Sequence, residues 1–83
     1  MSKLMVELYL PAEGSSYDIR IPSDSRIGDI IPLIEACMAE LAEGYFVPKG
    51  NSVLCDRETG VVLNVNLTAS EMGILNGTKL MLI

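Results

Sequence analysis

Apolar and polar residues alternate in two stretches near the N-terminus. The first runs from Leu4 to Leu10, and the second, Tyr17–Ile21, follows a polar segment over residues 11–16. A period of two is typical of strands with one buried face. Two such strands around a short polar loop predict a β-hairpin. In the first strand Met5 and Tyr9 face away from the buried side.

A helical period follows the Pro-Ser-Asp-Ser sequence at 22–25, which supplies candidate N-caps. Apolar residues at spacings of three and four predict an amphipathic helix of about four turns over residues 26–43, ended by Gly44. Pro32 removes one helical hydrogen bond, so we expect a distorted first turn. The predicted buried stripe is Ile27, Ile30, Ile31, Ile34, Met38 and Leu41, with Cys37 at its edge. The predicted exposed side carries Asp29, Glu35, Glu40 and Glu43.

The second half of the chain predicts shorter elements. Val53–Cys55 and Val61–Leu63 are predicted strands around a tight turn. Thr68 and Glu71 have the spacing of a capping box, which suggests one helical turn. Alternation resumes over Thr78–Ile83, which predicts a last strand.

This order of elements predicts the fold class. One long helix and a mixed sheet of four to five strands form an α+β layer, with the helical stripe covering one face of the sheet. Tyr45 and Phe46 are predicted to close the core between the two layers. No repeat or linker interrupts the sequence, so residues 1–83 are expected to form a single domain.

Composition and charge limit the classes of function that the sequence supports. The net charge is −5, from 6 Lys and Arg against 11 Asp and Glu, and the cations form no basic stripe, which disfavours nucleic acid as a partner. The sequence shows no signal peptide and no run of about 20 apolar residues, so we expect a cytoplasmic protein without direct membrane insertion. Cys37 and Cys55 are expected to be reduced structural thiols, and a redox or disulfide role is the alternative.

Candidate chemistry is sparse. The chain has no His, the commonest acid–base catalyst and metal ligand, so Cys55 lacks an evident base to activate it as a nucleophile. The turn at 56–60 lacks the glycines and lysine of a phosphate-binding loop. We therefore expect no enzyme, no cofactor and no metal site. The acidic helix side is interpreted as a solvated surface, with a docking face as the alternative.

The strings LPAEG at 10–14 and YDIRIPSD at 17–24, with the closing segment 73–83, resemble ubiquitin-like proteins of the YukD/EsaB group. The resemblance spans nearly the whole chain and implies a ubiquitin-like β-grasp fold. It also implies an association with bacterial type VII secretion systems. Ubiquitin-type modifiers end in a flexible Gly-Gly tail, whereas this sequence stops at Ile83. We therefore expect that it is not a conjugated modifier.

The resemblance also suggests a docking surface. In a β-grasp sheet the first and last strands lie side by side at the centre, the third strand flanks the last, and one face lacks a covering helix. Leu54, Met81 and Ile83 fall where ubiquitin carries its recognition patch, and Met5 and Tyr9 are expected beside them. Self-association and simple strand propensity are the alternatives. Glu7, Lys79 and Arg20 would form the rim of this patch.

The function expected from the resemblance is a non-enzymatic protein–protein interaction module. It would act as a cytosolic accessory or regulatory component of a type VII secretion system. Its partners would be proteins, among them membrane or ATPase components of that system, and weak self-association stays open. A free-standing β-grasp adaptor in another pathway, docking by a sheet face or an edge strand, is the alternative.

Overall fold

Within the residues that the structure describes, four strands and one helix follow the predicted order. The computed structural model describes residues 2–41 and 51–83. Its elements are β1 (Lys3–Leu10), β2 (Ser15–Pro22), α1 (Ile27–Leu41), β3 (Leu54–Asp56) and β4 (Lys79–Leu82). The predicted helix end at Glu43 and Gly44, and the predicted plug of Tyr45 and Phe46, lie outside the described residues.

The sheet is mixed, with the order β2-β1-β4-β3. Antiparallel pairs join β1 to β2 and β3 to β4, and the two central strands, β1 and β4, run parallel. The predicted placement of the first and last strands at the centre is therefore confirmed. Among the described strands, β2 and β3 are the two at the edges of the sheet.

The core lies between α1 and one face of the sheet. The period-two pattern is confirmed, because Val6, Leu8 and Leu10 of β1 are buried together with the inward residues of the other strands. The helix contributes Ile27, Ile30, Ile34 and Met38 to this core, while Ile31 and Cys37 pack at its margin. Leu41 was expected in the stripe but is 48% exposed.

The start of α1 is tied to the loop before the capping-box turn. The amides of Ile27 and Gly28 donate to the carbonyls of Leu67 and Val65 at 2.8 and 3.0 Å. These bonds satisfy two of the amides that a helix N-terminus leaves without partners. A Cβ on Gly28 would lie 3.1 Å from the Val65 oxygen, so this close approach favours glycine. The helix continues through Pro32 to Leu41.

The predicted strand Val61–Leu63 is reduced to an isolated bridge between Cys55 and Val62. The amide of Asp56 donates to the Val61 carbonyl at 2.9 Å, and that of Leu63 to the Leu54 carbonyl at 3.0 Å. The described residues therefore form a four-stranded sheet, the lower bound of the prediction. The segment leaves the sheet after Leu63 because β3 is three residues long and offers no further partner.

The capping box predicted at Thr68 and Glu71 is formed. The Thr68 amide donates to the Glu71 carboxylate at 2.9 Å, and the Glu71 amide donates to the Thr68 hydroxyl oxygen at 3.1 Å. The segment is a turn rather than a helix, because Gly73 (φ 77°) ends it at once. The Gly73 amide donates to the Ser70 carbonyl, and the Ile74 amide donates to the Ala69 carbonyl. These two hydrogen bonds form the pattern of a Schellman motif.

Candidate protein-binding face of the sheet

The sheet face opposite α1 carries a row of neighbouring apolar side chains. Tyr9 of β1 pairs with Met81 of β4, Met81 pairs with Cys55 of β3, and Cys55 bridges to Val62. Paired residues of neighbouring strands lie on the same face, with strands about 4.8 Å apart. The register therefore places these four residues side by side, and Val62 is exposed at the end of the row.

Ile83 extends this row beyond the end of β4. Its amide donates to the Val53 carbonyl at 2.9 Å, and the Val53 amide donates to the Ile83 carbonyl at 2.7 Å. This reciprocal pair continues the β3–β4 register by one residue, so Ile83 lies on the same side as Met81. The Ile83 side chain is 58% exposed. We call Tyr9, Met81, Ile83 and Val62 the sheet-face patch.

Leu54 does not belong to this patch, and its predicted place there is wrong. It pairs with Leu82, on the side that faces α1, and only 1% of its surface is exposed. Cys55 takes the outward position in register with Met81. A shift of one residue along a strand moves a side chain to the opposite face. Leu54 was assigned to the patch from its position in the chain relative to ubiquitin. The face of the sheet on which it lies depends instead on the β3–β4 register.

Met5 is separated from the rest of the predicted patch. It shares the open face with Tyr9, but the two residues are four positions apart on β1, about 13 Å in an extended strand. Glu7 lies between them and pairs with Lys79, so a charged row crosses the face at that point. Beyond the row, Met5 pairs with Arg20. Its backbone is held by Asn76, whose side-chain oxygen accepts from the Met5 amide at 2.8 Å.

Arg57 covers part of the open face, which the sequence did not indicate. Its guanidinium carbon lies 4.0 Å from the centre of the Tyr9 ring, and its Nη1 donates to the Ser16 hydroxyl oxygen at 3.1 Å. The side chain therefore reaches from the turn after β3 across to β2. A cation over an aromatic ring is favourable, by about 0.5–1 kcal/mol at an exposed site. No local pattern predicts this contact, because it depends on the sheet order.

The turn that carries Arg57 is ordered by its own side chains. The Asp56 carboxylate accepts from the amides of Glu58 and Thr59 at 2.8 and 3.1 Å. The Arg57 amide donates to the Lys79 carbonyl at 3.0 Å, which joins the turn to β4. These bonds fix the origin of the Arg57 side chain beside the sheet-face patch.

The acidic side of the helix differs from its prediction at one residue. Glu35 was expected in solvent, yet it is only 8% exposed, and the Ser52 hydroxyl donates to its carboxylate at 2.8 Å. Ser52, two residues before β3, therefore lies against this side chain. Asp29 and Glu40 are exposed as predicted, and Glu43 lies outside the described residues. Within residues 2–41 and 51–83, acidic and thiol side chains form no group suited to hold a metal ion.

Both cysteines are free thiols in the structure, and their reduced structural role stays a prediction. Cys55 is buried with 2% of its surface exposed, whereas Cys37 is only half-buried at the margin of the core.

Among the described helices, none has the length and apolar character needed to cross a membrane.

Comparison with known proteins gives structural matches only. No protein-family model matches the chain, and no curated protein sequence does. The ubiquitin-like domain of the Mycobacterium tuberculosis type VII secretion system protein EccD1 superposes with a TM-score of 0.81 at 15% identity, covering 100% of this chain and 99% of that domain. Ubiquitin of Caldiarchaeum subterraneum superposes with a TM-score of 0.68 at 16% identity, covering 99% and 92%.

The fold is the ubiquitin-like β-grasp.

A third β-grasp match lies within a membrane assembly. A chain of the ESX-5 inner membrane complex superposes with a TM-score of 0.74 at 16% identity. The superposition covers 100% of the present protein and 21% of that longer chain. The ubiquitin-like fold expected from the resemblance is thus confirmed, and domains of type VII secretion proteins are among the structures that share it. In this β-grasp domain, the open sheet face is the surface that brings together Tyr9, Met81 and Ile83.

Proposed function

We propose that this β-grasp domain is a non-enzymatic protein-interaction module that serves as a cytosolic accessory or regulatory component of a bacterial type VII secretion system. The observation that carries the proposal is the superposition on the EccD1 ubiquitin-like domain over 100% of this chain. Its proposed partners are membrane or ATPase components of such a system, and the match within the ESX-5 inner membrane complex supports a membrane component.

The sheet-face patch is the proposed contact surface for that partner. It presents a half-buried Tyr9 and Met81 beside the exposed Val62 and Ile83. Neighbouring apolar groups on an exposed strand surface are characteristic of protein interfaces when polar residues surround them. Arg57 and Lys79 border this patch. Arginine and tyrosine are enriched among the residues that dominate binding energy.

The test combines secretion with partner capture in a bacterium from which the gene has been deleted. Plasmid-borne Met81→Ser is expected to weaken partner binding by about 1–3 kcal/mol, because it removes a large apolar contact from the centre of the interface. Secretion of the substrates of the type VII system should fall with it. A photo-crosslinking amino acid at position 81 should capture a membrane or ATPase component of the secretion system.

The matched control is Val65→Ser, which changes an exposed apolar residue in the loop before the capping-box turn. It should leave secretion and partner capture at wild-type levels. Thermal melts of both variants separate a binding defect from a folding defect. Normal secretion in the deletion strain would contradict the role in type VII secretion. Normal binding by Met81→Ser with an unchanged melt would contradict the choice of surface.

The alternative is a free-standing β-grasp adaptor in another pathway. It is favoured by the superposition on the ubiquitin of Caldiarchaeum subterraneum. The same crosslinking experiment separates the two functions through the identity of the captured protein. A cytosolic partner together with normal secretion would support the adaptor.

A further inference from the structure

The turn that leads into β4 contains the one Asn-Gly sequence of the chain, at Asn76 and Gly77. The Thr78 amide donates to the Leu75 carbonyl at 3.1 Å, and the Leu75 amide donates to the Thr78 hydroxyl oxygen at 2.9 Å. Gly77 has a φ of 88° in this turn, a backbone conformation that favours glycine. The geometry of the turn therefore requires the glycine that follows Asn76.

One residue of β1 binds both Asn76 and Gly77. The Met5 amide donates to the Asn76 side-chain oxygen at 2.8 Å, and the Gly77 amide donates to the Met5 carbonyl at 2.7 Å. These two hydrogen bonds, which we call the Met5 clamp, extend the contact between β1 and the β4 side of the chain beyond the pair Glu7 and Lys79. The clamp fixes the asparagine side chain and the next main-chain amide against the same strand.

These two groups are also the reactants of asparagine deamidation. The Gly77 nitrogen would lose its proton to hydroxide and bond to the side-chain carbonyl carbon of Asn76. The bond from that carbon to the side-chain nitrogen then breaks, and the nitrogen takes a proton from water and leaves as ammonia. Water opens the resulting cyclic imide at either carbonyl, which gives aspartate or isoaspartate. Glycine after asparagine favours this reaction, because it has no side chain to hinder the attack.

The Met5 clamp opposes the first step. The Gly77 N–H is engaged at 2.7 Å, so its proton is available to hydroxide only after the bond to the Met5 carbonyl opens. The bond from the Met5 amide restrains the Asn76 side chain, which has to rotate toward the Gly77 nitrogen for the attack. Both residues are exposed. Hydrogen bonding rather than burial therefore protects this site from hydroxide and water.

We propose that Asn76 is a site of spontaneous deamidation gated by the Met5 clamp. The closed clamp protects the folded chain, and its opening permits the cyclic imide to form. Water and hydroxide are the only other reactants. The proposal does not depend on a role in secretion, because the reaction needs no partner protein.

The two products differ in their effect on the fold. Aspartate keeps a side-chain oxygen that accepts from the Met5 amide. Isoaspartate lengthens the main chain by one carbon before Gly77, so the side-chain oxygen and the Gly77 amide no longer match the two groups of Met5. The mismatch lies directly before β4, which carries Met81 of the sheet-face patch. Deamidation to isoaspartate would therefore disable copies of the protein that have opened.

The experiment measures deamidation of Asn76 by mass spectrometry in the folded full chain, in the full chain unfolded in urea, and in a capped peptide of residues 74–79. All samples share one pH and temperature, and the peptide is measured with and without urea. The unfolded chain should react at the rate of the peptide in urea, within about twofold, and the folded chain at least about tenfold more slowly. Equal rates in the folded chain and the peptide would overturn the proposal.

Hydrogen exchange of the Gly77 amide tests the gate itself. Exchange and imide formation both require release of this N–H from the Met5 carbonyl. The ratio of the peptide rate to the folded rate of deamidation should therefore agree with the protection factor of the Gly77 amide, within about fivefold. A discrepancy of more than about tenfold in either direction would show that another event controls the reaction and would overturn the proposal.

The products provide a matched pair. The isoaspartate form, isolated after reaction of the unfolded chain and refolding, should melt at least about 5 °C below wild type, because the clamp is lost. Asn76→Asp should melt closer to wild type, since its carboxylate still accepts from the Met5 amide. An isoaspartate form that melted like wild type would show that the Met5 clamp does not hold this turn, and the proposed gate would fall with it.

Discussion

The two faces of the sheet are built from the same strands but differ in what covers them. On one face, residues such as Leu8, Leu80 and Leu82 lie beneath α1 and are nearly inaccessible to solvent. On the other face, Tyr9, Met81 and Ile83 alternate with them along the same strands, and the Arg57 guanidinium lies over the Tyr9 ring. The alternation of a strand thus separates residues that stabilise the fold from residues that can contact a partner.

The difference in covering also explains why the open face carries more polar side chains than the helix-covered face. The helix-covered face is apolar apart from its margins, where Ser52 reaches Glu35. On the open face a charged row, Glu7 and Lys79, crosses between Met5 and Tyr9. Solvated charges cost little at a surface but would be expensive beneath the helix. Substitutions on the open face should therefore affect the fold less than substitutions beneath the helix.

The neighbours Leu82 and Ile83 give the strongest test of this comparison. Leu82→Ala should lower the free energy of unfolding by about 2–5 kcal/mol, because it leaves a cavity beneath the helix. Ile83→Ala should change it by less than about 0.5 kcal/mol, because the side chain is already exposed. Urea denaturation of the two variants measures the contrast. Similar losses from both would mean that the open face is buried in solution.

Leu54→Ala belongs with Leu82→Ala in this contrast. Its side chain shares the helix-covered face with Leu82, so we expect a loss in the same range of about 2–5 kcal/mol. If Leu54→Ala melted like wild type, Leu54 would have to lie on the open face, and the β3–β4 register would be contradicted.

Arg57 allows a weaker but more specific test. Arg57→Ala removes the contact with the Tyr9 ring and the hydrogen bond to Ser16, and should lower the free energy of unfolding by about 0.5–1.5 kcal/mol. A double-mutant cycle with Tyr9→Leu isolates the ring contact, with an expected coupling of about 0.5–1 kcal/mol. Arg57→Lys keeps the charge but lacks the planar guanidinium, so it should recover only part of the loss. Zero coupling would show that the two side chains do not interact in solution.

The sequence predicted the fold well because its long elements have strong periods. The β1–β2 hairpin and the stripe of α1 bury continuous sets of residues, so the pattern and the structure are determined by the same physical requirement. The capping box at Thr68 was also predictable, since its hydrogen bonds connect residues three positions apart. The length of the segment after this cap was not predictable, because Gly73 ends the turn before a helix can form.

The candidate site was predicted only in part, for a different reason. Met81, Ile83 and Tyr9 follow from strand alternation within long strands. Leu54 lies in a strand of three residues, where alternation is too short to show which side faces the core. The contacts of Arg57 with Tyr9 and of Ser52 with Glu35 join residues distant in sequence. Their formation depends on sheet order and loop path, which no local spacing encodes.

The smallest expected effect concerns the turn that closes one end of the helix-covered face. Ala69 and Ile74 of this turn are buried in the core, and Glu71 caps it from outside. Hydrogen bonds from the backbone and then the side chain of Thr68, together with the charge of Arg26, lower the pKa of Glu71 from its usual 4.5. A lowered folded-state pKa means that the ionised carboxylate favours the folded state. This contribution is present above pH 4.5 and is lost as the pH falls through the lowered value.

Thermal melts of wild type and Glu71→Ala at pH 7 and at pH 3 test this contribution. The variant should melt slightly lower at pH 7, and the gap should narrow at pH 3, where protonation weakens the cap in the wild type. Glu71→Gln is the matched control, because its amide oxygen can still accept from the Thr68 amide without a charge that titrates. Its difference from Glu71→Ala should be nearly independent of pH. A gap between wild type and Glu71→Ala that stays constant from pH 7 to pH 3 would show that the charge contributes nothing at the end of the helix-covered face.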